Sequence, residues 1–343
     1  MLSNLVFPLA IRVEGAFLLS FFLVILTGKA SLKWFKNKGM VDYFRSDGPS
    51  SHYSKRGIPT GGGILILIAL GLSLLIFGKF SNEKVTIAFL VTVYLGIVGF
   101  WDDWKKSLSQ SSRGLRVKFK LLLQIILASL VGIYLYLNPN FNTKLYIPFL
   151  QIYLQINWLY IPLIIAVIVG TCNAVNLTDG LDGLALGCII PAGSVYAIFS
   201  FFTGSFYLSR ALRTPYISGA GELGVFWAAL LGASFGLLWY NSYPARLFMG
   251  DTGSQALGGA LGITSILIKQ EILLLVVGGV FVLEALSVIL QVASFQLTGK
   301  RILKMSPLHH HFELKGMQEP QIVIRFWIVS GVLALLGMGA LWF

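Results

Sequence analysis

The sequence predicts an all-α, polytopic membrane protein of about ten transmembrane helices, and three observations predict it. Hydrophobic residues fill 56% of the 343 positions and charged residues only 12%, where an ordinary soluble domain carries roughly 25% charged residues. Apolar runs of the ~20 residues needed to cross a bilayer recur along the whole length. Lys and Arg collect in alternate loops between those runs, as the positive-inside rule requires.

The spans read as 14–33, 61–79, 84–101, 118–138, 157–177, 183–203, 222–241, 253–269, 271–297 and 322–342. The first lacks the basic start and small-residue cleavage site of a signal peptide and is read as retained. The second opens on Gly61-Gly62-Gly63, the third ends on an acidic pair, and the fifth ends on a run of Asn and Asp. Several are rich in Gly, which suits close packing of membrane helices. The ninth carries Glu284 and Gln291 inside its apolar run and is long enough to tilt or break. A very short turn, Lys269-Gln270-Glu271, separates it from the eighth. The tenth closes the chain, and with no repeat, low-complexity tract or soluble domain visible, residues 1–343 read as one domain. Cys172 and Cys188 lie in apolar stretches without ligand spacing and read as buried thiols.

If the spans alternate, loops 29–60, 102–120, 176–183, 241–252 and 298–321 share one side. That side holds 18 Lys and Arg against 7 on the other. It is therefore read as cytoplasmic, with both termini outside. This distribution accounts for the net charge of +12 without nucleic acid. The same partition puts all seven Asp residues on the basic side: Asp42, Asp47, Asp102, Asp103, Asp179, Asp182 and Asp251. His309, His310 and His311 join them. Ionisable groups at the edge of a bilayer cost free energy and point to function.

Five loop motifs carry chemistry. Gly99-Phe-Trp-Asp102-Asp103-Trp104-Lys105-Lys106 sets two carboxylates before lysines, a pattern that holds a divalent cation beside an anionic substrate; Trp101 and Trp104 also suit plain interfacial anchoring. In Asn173-Ala-Val-Asn176-Leu-Thr-Asp179-Gly-Leu-Asp182-Gly, the spacing of three puts neighbours on adjacent turns of one helix face, and the glycines permit a sharp loop that returns Asp182 toward the site. The amides read either as substrate contacts or as helix–helix glue. In Phe248-Met-Gly-Asp251-Thr-Gly-Ser254, Asp251 and Thr252 suit helix capping, while a carboxylate at an anion-binding helix start suits a cation bridging it to phosphate. Pro307-Leu-His309-His310-His311-Phe-Glu313 cannot aim three consecutive rings at one metal. Its imidazoles suit phosphate or sugar hydroxyls. The basic segment ending Lys55-Arg56-Gly57-Ile58-Pro59-Thr60-Gly61-Gly62-Gly63 suits approach to a phosphate or nucleotide but lacks Walker A spacing.

With these motifs in place, the chain resembles the polyprenyl-phosphate N-acetylhexosamine-1-phosphate transferase superfamily from about Lys55 to Glu313. The acidic pair, NAVNLTDGLDGLA and FMGDTGS carry the resemblance, and PLHHHFE marks the branch that handles N-acetylmuramoyl-pentapeptide. Ile58 and Gly61 depart from the pattern. The resemblance implies transfer of phospho-N-acetylmuramoyl-pentapeptide from its UDP-linked form to undecaprenyl phosphate. Lipid I and UMP are the products, with Mg²⁺ as cofactor, at the cytoplasmic face of a bacterial inner membrane, in an enzyme that is commonly a homodimer. It implies a catalytic set of Asp102, Asp103, Asp251 and His309, with Asp251 as the magnesium ligand. It further implies Asp182 and Phe248 at the uracil and Lys55 near the nucleoside. Thr60, Asn173, Asn176, Asp179, Gln291, His310 and His311 would surround phosphate, ribose and sugar, and Lys106 and Lys118 would contact phosphate.

Two other readings remain open on the sequence. A sister enzyme would keep the chemistry and move N-acetylglucosamine-1-phosphate or a related sugar phosphate; the histidine motif argues against it. A cation-coupled transporter would also need intramembrane acids, but those sit near the midplane, often between inverted repeats. Here the acids crowd one side.

Overall fold

The computed structural model describes residues 8–41, 55, 57–111 and 114–341. Asp42, Asp47, Arg56 and most of the first basic loop lie outside the described residues. Each of the ten predicted ranges holds a helix. In chain order these are α1 (Leu9–Asn37), α2 (Gly62–Phe77), α3 (Glu83–Ser109), α4 (Val117–Leu137), α5 (Tyr160–Thr178) and α6 (Leu184–Gly204). A short α7 (Phe206–Ala211) precedes α8 (Leu223–Asn241) and α9 (Gly250–Leu267). The chain ends with α10 (Leu273–Val277), α11 (Gly279–Thr298), a short α12 (Leu308–Glu313) and α13 (Glu319–Gly339). Among the described residues, eight helices are long and apolar enough to cross a membrane. Their outward faces carry Leu26, Leu130, Ile289 and Leu335, all strongly exposed, as lipid contact requires.

Two of the ten predicted spans, the second and the eighth, fall outside that group for physical reasons. α2 has only 16 residues. α9 is the axis of the bundle, and every residue from Thr252 to Leu267 is buried. A helix that never meets lipid needs no apolar surface. Its sequence is accordingly small and mixed, and α3, α5, α2 and α6 pack around it. Around this core, α1 lies against α8 and α2, α4 against α5, and α13 against α6 and α10.

Small residues set the distances. A Cβ added to Gly63 of α2 would lie 2.1 Å from the Gly253 nitrogen, and one on Gly99 of α3 would lie 2.1 Å from the Asp251 carbonyl oxygen. Both neighbours therefore touch the first turn of α9 backbone to backbone. The ninth predicted span is broken at Gly278, into α10 and α11. The segment between α4 and α5 adds an element the sequence reading did not anticipate. Strands β1 (Lys144–Ile147) and β2 (Ile152–Gln155) pair antiparallel, Lys144 opposite Gln155 and Ile147 opposite Ile152. Cys172 and Cys188 are buried free thiols.

Overpacking of this kind costs about 1–3 kcal/mol, so Gly99→Ala lowers the thermal unfolding midpoint of the detergent-solubilised protein. An unchanged midpoint would mean that α3 and α9 do not meet at their backbones.

Candidate active site

Successive residues of a helix turn by 100°, so four in a row point to different sides. In α3, Trp101 and Trp104 face outward, while Asp102 and Asp103 are 4% and 3% exposed. The anchoring and the chemical readings of this motif therefore occupy opposite faces. Asp103 accepts hydrogen bonds from the backbone N–H groups of Asp251 (3.0 Å) and Thr252 (2.9 Å) and from the Thr252 hydroxyl (2.7 Å). It thus caps α9 from a neighbouring helix. This corrects the expectation that Asp251 and Thr252 cap their own helix: α9 starts at Gly250, and both lie in its first turn.

With its N–H held by Asp103, Asp251 turns its carboxylate to two lysines. Oδ1 lies 3.1 Å from Lys106 Nζ and Oδ2 lies 2.5 Å from Lys120 Nζ. Lys106 also pairs with Asp102 Oδ2 at 2.8 Å, one turn back on α3. Asp102 Oδ1 accepts the Leu115 N–H at 2.7 Å, which draws the loop before α4 over the cluster. Thr60 is buried beside it: a Cβ on Gly250, which has φ +74°, would meet the Thr60 hydroxyl and Asp103 Oδ2, each at 2.7 Å. Segment 59–63 is laid there by N–H bonds from Phe248 to the Pro59 carbonyl, and from Gly62 and Gly63 to the Phe248 and Met249 carbonyls, all 2.9 Å. Lys118 sits on the exposed face of α4; the lysine of α4 that joins the carboxylates is Lys120. The two are about 200° apart around the helix. The signal was the buried stripe Gln124, Ala128, Gly132 and Leu135, which continues backward to position 120 at a spacing of four.

The amides of α5 separate. Asn176 donates to Ser254 Oγ at 2.8 Å, on the first turn of α9. Asn173 donates to Gln124 Oε1 at 2.7 Å and to the Val169 carbonyl at 2.8 Å. Asp179, half-buried, follows the end of α5. Gly183 at φ +77° turns the chain and Asp182 enters a second cluster. Its Oδ1 accepts from Lys55 Nζ (2.6 Å) and its Oδ2 from the Ala245 N–H (2.9 Å). Glu319 completes this cluster, accepting Lys55 Nζ at 2.5 Å and the Asp182 N–H at 2.8 Å. Sequence reasoning missed Glu319, because it followed the aspartates. Phe248, half-buried, lies between the two clusters in sequence and borders Thr60 through its backbone.

The histidines lie on α12. Glu284 of α11 accepts the N–H groups of Leu308 (2.8 Å) and His309 (3.2 Å), which seats that short helix. His309 is fully buried with its ring against Gly180, where an added Cβ would lie 2.3 Å from Nε2. Its Nδ1 is 3.3 Å from Glu284 Oε1. His310 Nδ1 meets Glu313 Oε2 at 2.6 Å. His311 is held below the ordinary histidine value by desolvation first, then by Lys315 and Lys304. A neutral ring has a free lone pair, and its Nδ1 accepts the Lys304 N–H at 3.1 Å. Gln291 holds the loop that follows α11: its amide bonds the N–H groups of Ile302 and Leu303 and the Leu303 carbonyl.

Asp102, Asp103 and Asp251 each bring a carboxylate oxygen within 4.8 Å of the others. An all-oxygen, anionic donor set suits a hard divalent cation. Asp103 spends both its oxygens on α9, which leaves Asp251 and Asp102, now paired with lysines, as the groups able to hold one. Replacing a capping carboxylate by alanine typically costs about 0.5–2 kcal/mol. Asp103→Ala therefore lowers the unfolding midpoint, whereas Asp103→Asn, which keeps an acceptor oxygen, recovers part of the loss. Equal midpoints for wild type and Asp103→Ala would remove the capping role.

The profile of the family described as "Glycosyl transferase family 4" matches residues 85–269, a stretch that holds the acidic pair, the α5 motif and Asp251. A curated protein of Desulfotalea psychrophila, named phospho-N-acetylmuramoyl-pentapeptide-transferase, is 47% identical over 97% of this chain and 93% of its own length. Proteins of the same name from Citrifermentans bemidjiense and Methylacidiphilum infernorum are 50% and 52% identical, over 87% and 84% of this chain and 83% and 81% of theirs. An acidic cluster at the end of a membrane bundle, a family profile over more than half the chain and relatives matched over 84–97% of it agree: the chain belongs to glycosyl transferase family 4.

Proposed function

We propose that the chain transfers phospho-N-acetylmuramoyl-pentapeptide from UDP to undecaprenyl phosphate, forming lipid I and releasing UMP. The carboxylate cluster of Asp102, Asp103 and Asp251, with Lys106 and Lys120, carries this reading: it offers cation ligands and fixed positive charge where a diphosphate must be cleaved. The names of the relatives supply the substrate. The 18:7 division of basic residues between the two sides supports a site at the cytoplasmic face of a bacterial inner membrane. An apolar groove of about 340 Å³ between α5, α9, α10 and α11 supports a lipid acceptor. Gly170, Ala174 and Val175 line it, and the same helix runs on to Asn176.

In the proposed reaction an oxygen of the lipid phosphate attacks the β-phosphorus of the nucleotide. The bond from that phosphorus to UMP breaks, and UMP leaves with the electron pair. A phosphate monoester has a second pKa near ~6 and is largely dianionic at neutral pH, so it needs placement more than activation. Asp102 orients the acceptor phosphate and takes any residual proton. Lys106 and Lys120 bind the diphosphate oxygens. Asp251, with Asp102 alongside, would hold Mg²⁺, whose charge would further neutralise the phosphates. Asp182, Lys55 and Phe248 hold the nucleoside, and the histidines of α12 meet the phosphate and sugar.

Purified protein with undecaprenyl phosphate and Mg²⁺ releases UMP from UDP-N-acetylmuramoyl-pentapeptide and not from UDP-N-acetylglucosamine. Release from only the latter would keep the chemistry and discard the reading of the histidine motif. Asp251→Ala, and chelation of the metal, lower that release by orders of magnitude; near-normal turnover of the variant removes Asp251 from the site. Lys120→Ala costs about 10²-fold, while Lys118→Ala stays within about twofold. The reverse order would return the phosphate contact to Lys118.

A further inference from the structure

Below the acidic cluster, a second polar layer joins α4, α5 and α9. On α4, Gln124 follows Lys120 by four residues; on α9, Gln255 follows Asp251 by four. Positions four apart on a helix lie one above the other. The two helices therefore meet through two matched rungs, Lys120 Nζ to Asp251 Oδ2 at 2.5 Å and Gln124 Nε2 to Gln255 Oε1 at 3.1 Å. Gln124 Oε1 accepts from Asn173 at 2.7 Å, which fastens the lower rung to α5. Cys172 Sγ lies 3.4 Å from Gln124 Nε2 and 3.6 Å from the Gln255 carbonyl. Gln124 and Gln255 are both fully buried.

Gln124 is also the only buried residue in the first half of α4; the others are Ala128, Gly132 and Leu135. That half of α4 carries Lys120. A lysine has four rotatable bonds and does not fix its own position, so the rotation and depth of α4 decide whether its ammonium reaches Asp251. Gln124, itself fully buried, makes side-chain hydrogen bonds from this half of α4 to α9 and α5.

We propose that Gln124, clamped by Asn173 and Gln255, is a positioning residue for the transfer reaction, acting through Lys120 on the Asp251 carboxylate. Asn173 then serves the site as part of the clamp. The proposal rests on the transferase reading, and the test keeps the two apart: UMP release by the wild-type protein decides the reaction, and a ratio of variants decides the role of Gln124.

The test is a double-mutant cycle on UMP release with Gln124→Met and Lys120→Ala, each alone and together. Methionine keeps the length and flexibility of glutamine and removes the hydrogen bonds. Misplacement of a catalytic group by a fraction of an ångström to an ångström costs about ten- to a hundredfold. Gln124→Met therefore lowers kcat about tenfold with the KM for the nucleotide within about twofold. In the Lys120→Ala background the same change has less than about a twofold effect, because the lysine it places is gone. Gln255→Met, which breaks the rung from the other helix, repeats both results and serves if Gln124→Met does not fold. Equal losses in the two backgrounds would make Gln124 a packing residue only, and unchanged kcat in both Met variants would leave the rung without a role in turnover.

Discussion

A helix that begins inside a membrane protein exposes backbone N–H groups that neither water nor lipid can satisfy. Asp103 resolves this for the axial helix by reaching across from α3 with a buried carboxylate. The arrangement depends on that bond. The bonded N–H belongs to Asp251 itself, so the cap also fixes the residue that faces Lys106 and Lys120. Gly99, Gly63 and Gly250 are small because the cap and the first turn of α9 fill the space a side chain would need. The fold and the chemistry meet at one helix terminus.

Burying carboxylates is costly unless each charge is matched. The protein matches them with a short ladder of interactions rather than isolated pairs. Lys106 bridges Asp102 and Asp251, Lys120 takes the other oxygen of Asp251, and Leu115 brings a backbone donor to Asp102. A second, separate balance holds Lys55 between Asp182 and Glu319 and ties the start of α13 to the loop after α5. The first of these groups meets the first turn of α9, the second joins the loop after α5 to α13, and Glu284 of α11 seats α12. Each is made by residues far apart in the chain, so the site forms only when the bundle has closed.

The helices were legible because lipid imposes a length and a composition on each span. The break near Gly278 was legible from an apolar run too long for one crossing. The β1–β2 hairpin was not, since four-residue strands outside the bilayer carry no such constraint. Within the site, the acids could be grouped because all fell at the same ends of the spans. Which lysine joins them depends on helix phase, and Lys118 and Lys120 differ by nearly half a turn. Recognition by type alone could not choose; the phase of the buried stripe Gln124, Ala128, Gly132 and Leu135 does. The amides of α5 share a spacing but not a destination, because Asn173 meets Gln124 while Asn176 meets Ser254. No local pattern encodes those partners.

The packing around α9 also divides the glycines of this protein for anyone wishing to stabilise it for crystallisation or screening. Exchanging a helix glycine for alanine commonly gains about 0.4–1 kcal/mol by restricting the unfolded chain. That route is closed wherever two backbones touch, as at Gly63 and Gly99, or where Gly258 abuts the Thr171 carbonyl. At Gly71, Gly331 and Gly339 an added Cβ meets nothing within 4 Å. All three lie in α2 and α13 and none in α9. Engineering for robustness therefore has free positions at the rim of the bundle and none at its hub.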